Sequence, residues 1–142
     1  MKELYQLITA ALKTISEIKW IDLDYGQLEN GDSGLKFPCG LIKLSANNKD
    51  IDESGSQEKN WTIQLRLAWD AIGNRTSADT PETVLTRSLA WADVASKVYD
   101  LFQGAELGNF DAFECTSEGQ ETRSDGLLVY KYTFSTAKLT FK

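Results

Sequence analysis

The sequence predicts an α+β fold with a single, mostly antiparallel sheet of about five strands. Two helices, an N-terminal one and a long one over about 81–103, are expected to pack on one face of that sheet. Three observations support this prediction: a strictly alternating segment at 61–69, an amphipathic segment near the start, and a well-capped apolar segment after the alternating one. We expect residues 1–142 to form a single α+β domain, since the chain has the length of one ordinary domain.

The central strand is predicted from the segment Asn60–Asp70. Apolar side chains occupy every second position here, at Trp61, Ile63, Leu65, Leu67 and Trp69. Side chains of a strand point alternately to opposite faces, so this pattern predicts one buried and one wetter face. Burial of these five side chains cannot offset the cost of ordering the backbone of an isolated strand. We therefore expect neighbouring strands on both edges and a helix over the tryptophans.

The two helices are predicted from apolar periodicity and from end signals. Lys2–Ser16 carries apolar residues at three- and four-residue steps, which makes one stripe along a helix. The second helix is predicted over Pro81–Gln103. Thr80 is a good N-cap, Pro81 suits the first helical turn and Gly104 is a natural C-terminal stop.

The remaining strands are shorter or less regular. We predict strands at Ile18–Tyr25 and Phe37–Ala46, then a closing hairpin of Phe110–Thr116 with Leu127–Thr136. Turn-forming residues predict a loop over 26–36. The polar segment Ser45–Lys59 is predicted as a long hairpin loop, either merely solvated or a mobile arm that orders against a partner. Ser117–Gly126 is predicted as the acidic tip of the closing hairpin.

Composition excludes several classes of function. The net charge of −6 argues against general nucleic-acid binding, which needs a basic face, and we expect no sequence-specific nucleic-acid recognition. No apolar run approaches the roughly 20 residues of a membrane span, and the N-terminal segment has helical periodicity rather than a signal-peptide core. We expect a cytoplasmic protein.

Since histidine is absent, common zinc sites are excluded, and Cys39 and Cys115 are predicted to be buried thiols.

Two patterns suggest chemistry. Residues 31–34 read Gly-Asp-Ser-Gly, which matches the surroundings of the nucleophile in trypsin-like serine proteases, but no histidine is present to accept the proton. Asp22 and Asp24 share one strand face and have Glu29 nearby, so they could hold a divalent cation or act as an acid–base pair. The alternative is a solvated strand face. We expect no cofactor and no enzymatic activity, with a small metal-dependent enzyme or a ligand-binding or adaptor domain as the alternative.

Candidate interface residues come from three regions. Trp20 shares its strand face with Asp22 and Asp24, which makes it a candidate exposed aromatic anchor. Acidic side chains are frequent in the two polar segments Ser45–Lys59 and Ser117–Gly126. They could contact a basic partner, or they could simply be solvated. The candidate interface set is Trp20, Asp22, Asp24, Asp50, Asp52, Glu53, Glu118, Glu121, Arg123 and Phe141.

The order of elements resembles that of the tail terminator (tail completion) proteins of long-tailed bacteriophages and prophages. The resemblance rests on the strand Lys19-Trp20-Ile21-Asp22-Leu23-Asp24, on the Phe37-Pro38-Cys39 start of the next strand, and on the Trp61–Trp69 strand followed by the Pro81 helix. It covers nearly the whole chain. Related head–tail connector proteins share the layout.

The resemblance implies a structural subunit without catalytic residues. Proteins of this family assemble, usually as hexameric rings, on the end of the tail tube, where they stop its polymerisation and offer the surface that joins the head. The implied partners are further copies of the chain, the tail tube protein and head–tail connector proteins. The implied location is the host cytoplasm and then the virion tail.

Overall fold

The computed structural model describes residues 1–32, 34–70, 81–82 and 89–141. Within them, two helices and five strands follow one another along the chain. Their bounds are α1 Lys2–Leu12, β1 Trp20–Leu23, β2 Cys39–Asp50, β3 Gln57–Asp70, α2 Ala90–Phe102, β4 Glu114–Gln120 and β5 Leu127–Thr140. In this described part of the chain, no helix is long and apolar enough to cross a bilayer.

The strands form one sheet in the order β1-β2-β3-β5-β4. β1 pairs with β2 in parallel, and the other three pairings are antiparallel. The alternating strand β3 therefore lies at the centre, between β2 and β5, as its need for neighbours on both edges predicts. The predicted α+β class with a mostly antiparallel sheet is confirmed.

Both helices pack on the same face of the sheet. The central strand contributes Ile63, Leu65 and Leu67, each about 1% exposed, and these side chains share one core with the buried stripes of α1 and α2. Trp91 of α2 lies over Trp69, with ring centroids 5.8 Å apart. The expectation that a helix covers the tryptophans of β3 is thus confirmed.

The opposite face carries a smaller apolar cluster near β1. The connection from β1 to β2 folds over this face and buries Leu28 beside Cys39, Leu41, Ala68 and Val129. Gln27 is also buried in the connection, and its side-chain amide donates to the Leu23 carbonyl at 2.7 Å. Beyond the connection, the face presents mostly polar side chains, and we call this region the uncovered face.

The polar segment Ser45–Lys59 is mostly strand rather than loop. β2 continues to Asp50, β3 begins at Gln57, and the turn is confined to 51–56. β5 runs beside β3 as far as the pair Gln57↔Thr140, so three strands extend together past the helices. At the C-terminal end of β2, the side chains on both faces are exposed. The apolar alternation that identifies a strand in a sequence is therefore absent there.

Other predicted bounds differ by a few residues. α1 ends at Leu12 rather than Ser16, and β4 begins at Glu114 and continues to Gln120, so part of the predicted hairpin tip is strand. Phe110 and Phe113 are core residues that precede the strand. In α2, the predicted Gly104 stop is confirmed by its φ of +76°. The predicted helix over Pro81–Gln103 is not one continuous helix, because Leu89 is a turn residue and α2 begins at Ala90. The predicted N-cap Thr80 and residues 83–88 lie outside the described residues.

Candidate functional site

Arg66 of β3 lies at the centre of an ion-pair network on the uncovered face. Its side chain is 10% exposed. The guanidinium donates to Glu121 through Nε (2.8 Å) and Nη2 (2.9 Å), to Asp24 through Nη1 (3.1 Å), and to Glu29 through Nη2 (2.6 Å). Four short donations from one guanidinium tie the end of β1, the β1–β2 connection and the β4–β5 loop to the central strand.

Arg123 extends this charge cluster across the β4–β5 loop. It donates to Glu121 at 3.0 Å and to Asp125 at 2.6 Å, and it lies 3.7 Å from Glu29. We refer to Asp24, Glu29, Arg66, Glu121, Arg123 and Asp125 as the charge cluster. Two guanidinium groups face four carboxylates, which leaves the cluster with a net charge of −2.

Hydrogen bonds within the cluster favour the charged forms of Arg66, Glu29 and Asp125. Burial alone lowers the pKa of Arg66, but the hydrogen bonds to Glu121, Glu29 and Asp24 outweigh it and hold that pKa above its ordinary value. The hydrogen bond from Arg66 lowers the pKa of Glu29, and the one from Arg123 lowers the pKa of Asp125. Carboxylates held as anions by guanidinium groups are poor general acids or bases near neutral pH.

The structure does not assemble the metal site considered from sequence. Asp24 and Glu29 both accept from Arg66, whereas Asp22 accepts from the Tyr25 hydroxyl at 3.0 Å and from the Leu23 amide at 2.8 Å. Among the described residues, no group of three or more acidic, cysteine or histidine side chains is arranged to hold a metal ion. Arg66 supplies the positive charge that a cation would have supplied to Asp24 and Glu29.

Trp20 is not the exposed anchor that the strand pattern suggested. Its ring is half-buried against the small cluster that contains Leu28 and Cys39. Its indole Nε1 is buried without a hydrogen-bond partner in the described part of the chain. The alternation of β1 is as predicted, but the β1–β2 connection covers the face that carries Trp20, which local periodicity cannot reveal.

The acidic residues of the β2–β3 hairpin shape its turn. Asp50 accepts from the Gln57 side chain at 2.8 Å across the last pair of the ladder. Asp52 accepts from the Ser54 amide (2.9 Å), the Ser54 hydroxyl (2.5 Å) and the Ser56 amide (3.4 Å), and the Ser54 hydroxyl bond lowers the pKa of Asp52. Glu53 is exposed at the tip. These contacts give Asp50 and Asp52 local structural roles, and their part in an interface stays a prediction.

Apolar side chains gather at the same end of the sheet. Phe141 is 74% exposed, Leu139 50% and Ile51 43%, and the pairing of Thr140 with Gln57 places the end of β5 beside the hairpin turn. We call these three residues the apolar rim. Large apolar side chains this exposed are adhesive when they lie together. The sequence predicted Phe141 and the exposed C-terminal strand as candidates but not the position of Ile51 at the same end of the sheet.

Glu118 lies away from the charge cluster, on the helix-covered face of β4. It lines a groove of about 410 Å³ between α2 and the β4–β5 pair, together with aromatic side chains of both. The small residues Ala92, Ala95 and Ser96 of α2 leave this space open above β5. Sequence reasoning missed the groove, although the one-face spacing of Trp91, Ala95 and Tyr99 on a helix and of Tyr130 and Tyr132 on a strand was visible.

The two thiols are not paired with each other. Cys39 is fully buried in the small apolar cluster beneath the β1–β2 connection, and burial raises its pKa to about 11. Cys115 is half-buried in β4 and packs against the main core, and burial raises its pKa as well. The prediction of a buried thiol is confirmed for Cys39, whereas Cys115 is only half-buried.

Comparisons with known proteins show likeness in structure and not in sequence. No protein-family model matches the chain, and no curated protein matches it. Among solved structures, it is similar to a chain in the virion of a native gene transfer agent particle. The identity is 12%, the TM-score is 0.54, and the alignment covers 96% of this chain and 91% of that chain. At this identity the likeness shows a shared fold.

Proposed function

We propose that this chain is a structural subunit of a phage-type particle. The observation that carries the proposal is the similarity in fold, over 96% of the chain, to a component of a gene transfer agent virion. The sequence resemblance to tail terminator proteins points in the same direction. A similar fold hosts different functions in other proteins, so the surfaces of this chain must also suit the role.

The finer proposal is a subunit that assembles as a ring, in the manner of tail terminators, on the end of a tail tube. Its partners would then be further copies of the chain, the tail tube protein and head–tail connector proteins. The apolar rim supports this proposal because it is an adhesive surface at one end of the sheet. Contacts between two different surfaces of identical subunits close into a ring when the rotation between subunits closes. We further propose a location in the host cytoplasm and then in the virion.

No catalytic role belongs to the proposal. Asp24 and Glu29, which the sequence offers for acid–base or metal chemistry, accept from Arg66 instead. An ion-pair network that joins three chain segments to a central strand suits a scaffold that must hold its loops in fixed positions.

The proposal predicts self-association through the apolar rim. Sedimentation velocity over a range of protein concentrations should show an oligomer whose fraction rises with concentration. Negative-stain images should show rings. The double variant Leu139→Ser/Phe141→Ser should remain folded but shift towards monomer, because it removes two of the exposed apolar side chains.

A matched control is Tyr25→Ser. Tyr25 is 68% exposed but lies just after β1, away from the apolar rim, so this variant should associate like the parent protein. A parent chain that stays monomeric at high concentration, both alone and with tail tube ends present, would contradict the ring. An oligomer unaffected by the rim variant would contradict the assigned surface.

A further inference from the structure

The groove between α2 and the β4–β5 pair is walled by aromatic rings. Trp91 and Tyr130 have ring centroids 5.7 Å apart, Tyr130 and Tyr132 5.1 Å, and Tyr132 and Tyr99 6.3 Å. The Tyr132 hydroxyl donates to the Ala95 carbonyl at 2.7 Å, which fixes its ring against the helix. The result is a continuous aromatic wall, exposed at Tyr99 and half-exposed at Trp91 and Tyr130.

Two carboxylates flank this wall. Asp100 follows Tyr99 on α2, and Glu118 lies opposite Tyr132 in the β4–β5 register. Both line the groove and both are exposed. In the described part of the chain neither has an ion-pair or hydrogen-bond partner, unlike the carboxylates of the charge cluster. Two unpaired negative charges therefore border a surface of π-systems, whose faces are themselves electronegative.

We propose that this groove binds an arginine side chain of a partner protein. A cation over aromatic faces is attracted by their quadrupoles, and the attraction grows when carboxylates complete the coordination of the charge. Arginine fits better than lysine because a planar guanidinium stacks on a ring while its edge donates to two carboxylates. The charge complementarity of the groove thus specifies the chemistry of its occupant.

A protein segment suits the groove better than a free small molecule. Glu118 belongs to β4, which pairs with β5 on one side and is the last strand of the sheet on the other. An edge strand offers backbone groups along which an extended segment can align, and side chains of that segment then enter neighbouring pockets. The proposed site lies within one subunit, so a test of arginine binding does not depend on whether the protein forms a ring.

The test is an NMR titration of the ¹⁵N-labelled, dilute protein with N-acetyl-arginine methylamide. The Trp91 indole signal, assigned with Trp91→Phe, should shift saturably with a Kd on the order of millimolar, as expected for one side chain. The citrulline analogue has the same shape without the charge and should not produce this shift. The lysine analogue should bind more weakly than arginine.

Variants assign the effect to the groove. Asp100→Asn/Glu118→Gln should weaken arginine binding about fivefold or more, and Tyr99→Leu should weaken it as well, since it removes an exposed ring. Glu53→Gln removes an exposed carboxylate at the hairpin tip and should change nothing. Equal binding of citrulline, tighter binding of lysine, unchanged binding by the double variant, or no saturable shift up to about 50 mM would overturn the proposal.

Discussion

Arg66 illustrates how one side chain can set the position of several loops. It lies on the central strand, yet its acceptors come from β1's end, from the β1–β2 connection and from the β4–β5 loop. Its partners are 37 to 55 residues away along the chain. The alternating pattern of β3 places Arg66 on the wetter face, but no local pattern identifies these partners.

We predict that Arg66→Ala destabilises the protein by about 3 kcal/mol, at the low end for a buried ion pair, because Glu29 and Glu121 keep some contact with water. The cause is the Asp24 carboxylate, 10% exposed, which the substitution leaves without its ion-pair partner and with the Gly26 amide as a remaining donor. Urea unfolding monitored by tryptophan fluorescence measures the change. Lys97→Ala, which removes an exposed ion pair with Glu17, is the control and should have a much smaller effect. Similar losses from both substitutions would contradict this account.

At the scale of elements, the end of α2 depends on one backbone conformation. Gly104 has φ +76°, and its amide donates to the Phe113 carbonyl at 2.7 Å. A side chain here would meet no neighbouring atom within 4 Å, so its cost is purely conformational. Gly104 therefore directs the chain from α2 towards the core residues that precede β4.

Gly104→Ala should accordingly destabilise the protein by about 1 kcal/mol, because a residue with a Cβ is strained in the left-handed region. Thermal unfolding measures the change. Gly119→Ala in the edge strand β4 is the matched control, since Gly119 has an ordinary φ and equally open surroundings. It should be neutral or slightly stabilising. If both substitutions lower the melting temperature alike, the helix-end conformation is not the cause.

The helices and the central strand are predictable because each buries one face, and the apolar residues of that face recur at regular intervals in the sequence. The strong alternation of Trp61–Trp69 and the apolar stripe of α1 both correspond to buried surfaces. The sequence predicts a loop for the outer parts of β2 and β3 because water reaches their side chains there. The hydrogen-bond ladder between the two strands holds them as strands. The site was predictable only as a set of residues, since contacts such as Arg66–Glu121 depend on the assembled sheet.

At the scale of the whole molecule, the arrangement of charges predicts that divalent cations do not change the melting temperature. A cation at about 100 times its Kd would stabilise the folded state by about 2.7 kcal/mol, which is several degrees for a domain of this size. We expect millimolar Ca²⁺, Mg²⁺ and Mn²⁺ to leave the melting temperature unchanged, since Asp24 and Glu29 are paired with Arg66. A shift that disappears in Asp22→Asn would instead support the metal-dependent alternative.

The position of β5 has a consequence for how the molecule is made. β5 is the last strand in chain order, yet it lies between β3 and β4 and pairs with β3 along fourteen residues. Before the ribosome has delivered Leu127–Thr140, the nascent chain lacks β5. At that stage β3 has β2 as its one neighbouring strand, and β4 has no strand to pair with. The five-stranded sheet can therefore close only after translation has delivered Leu127–Thr140.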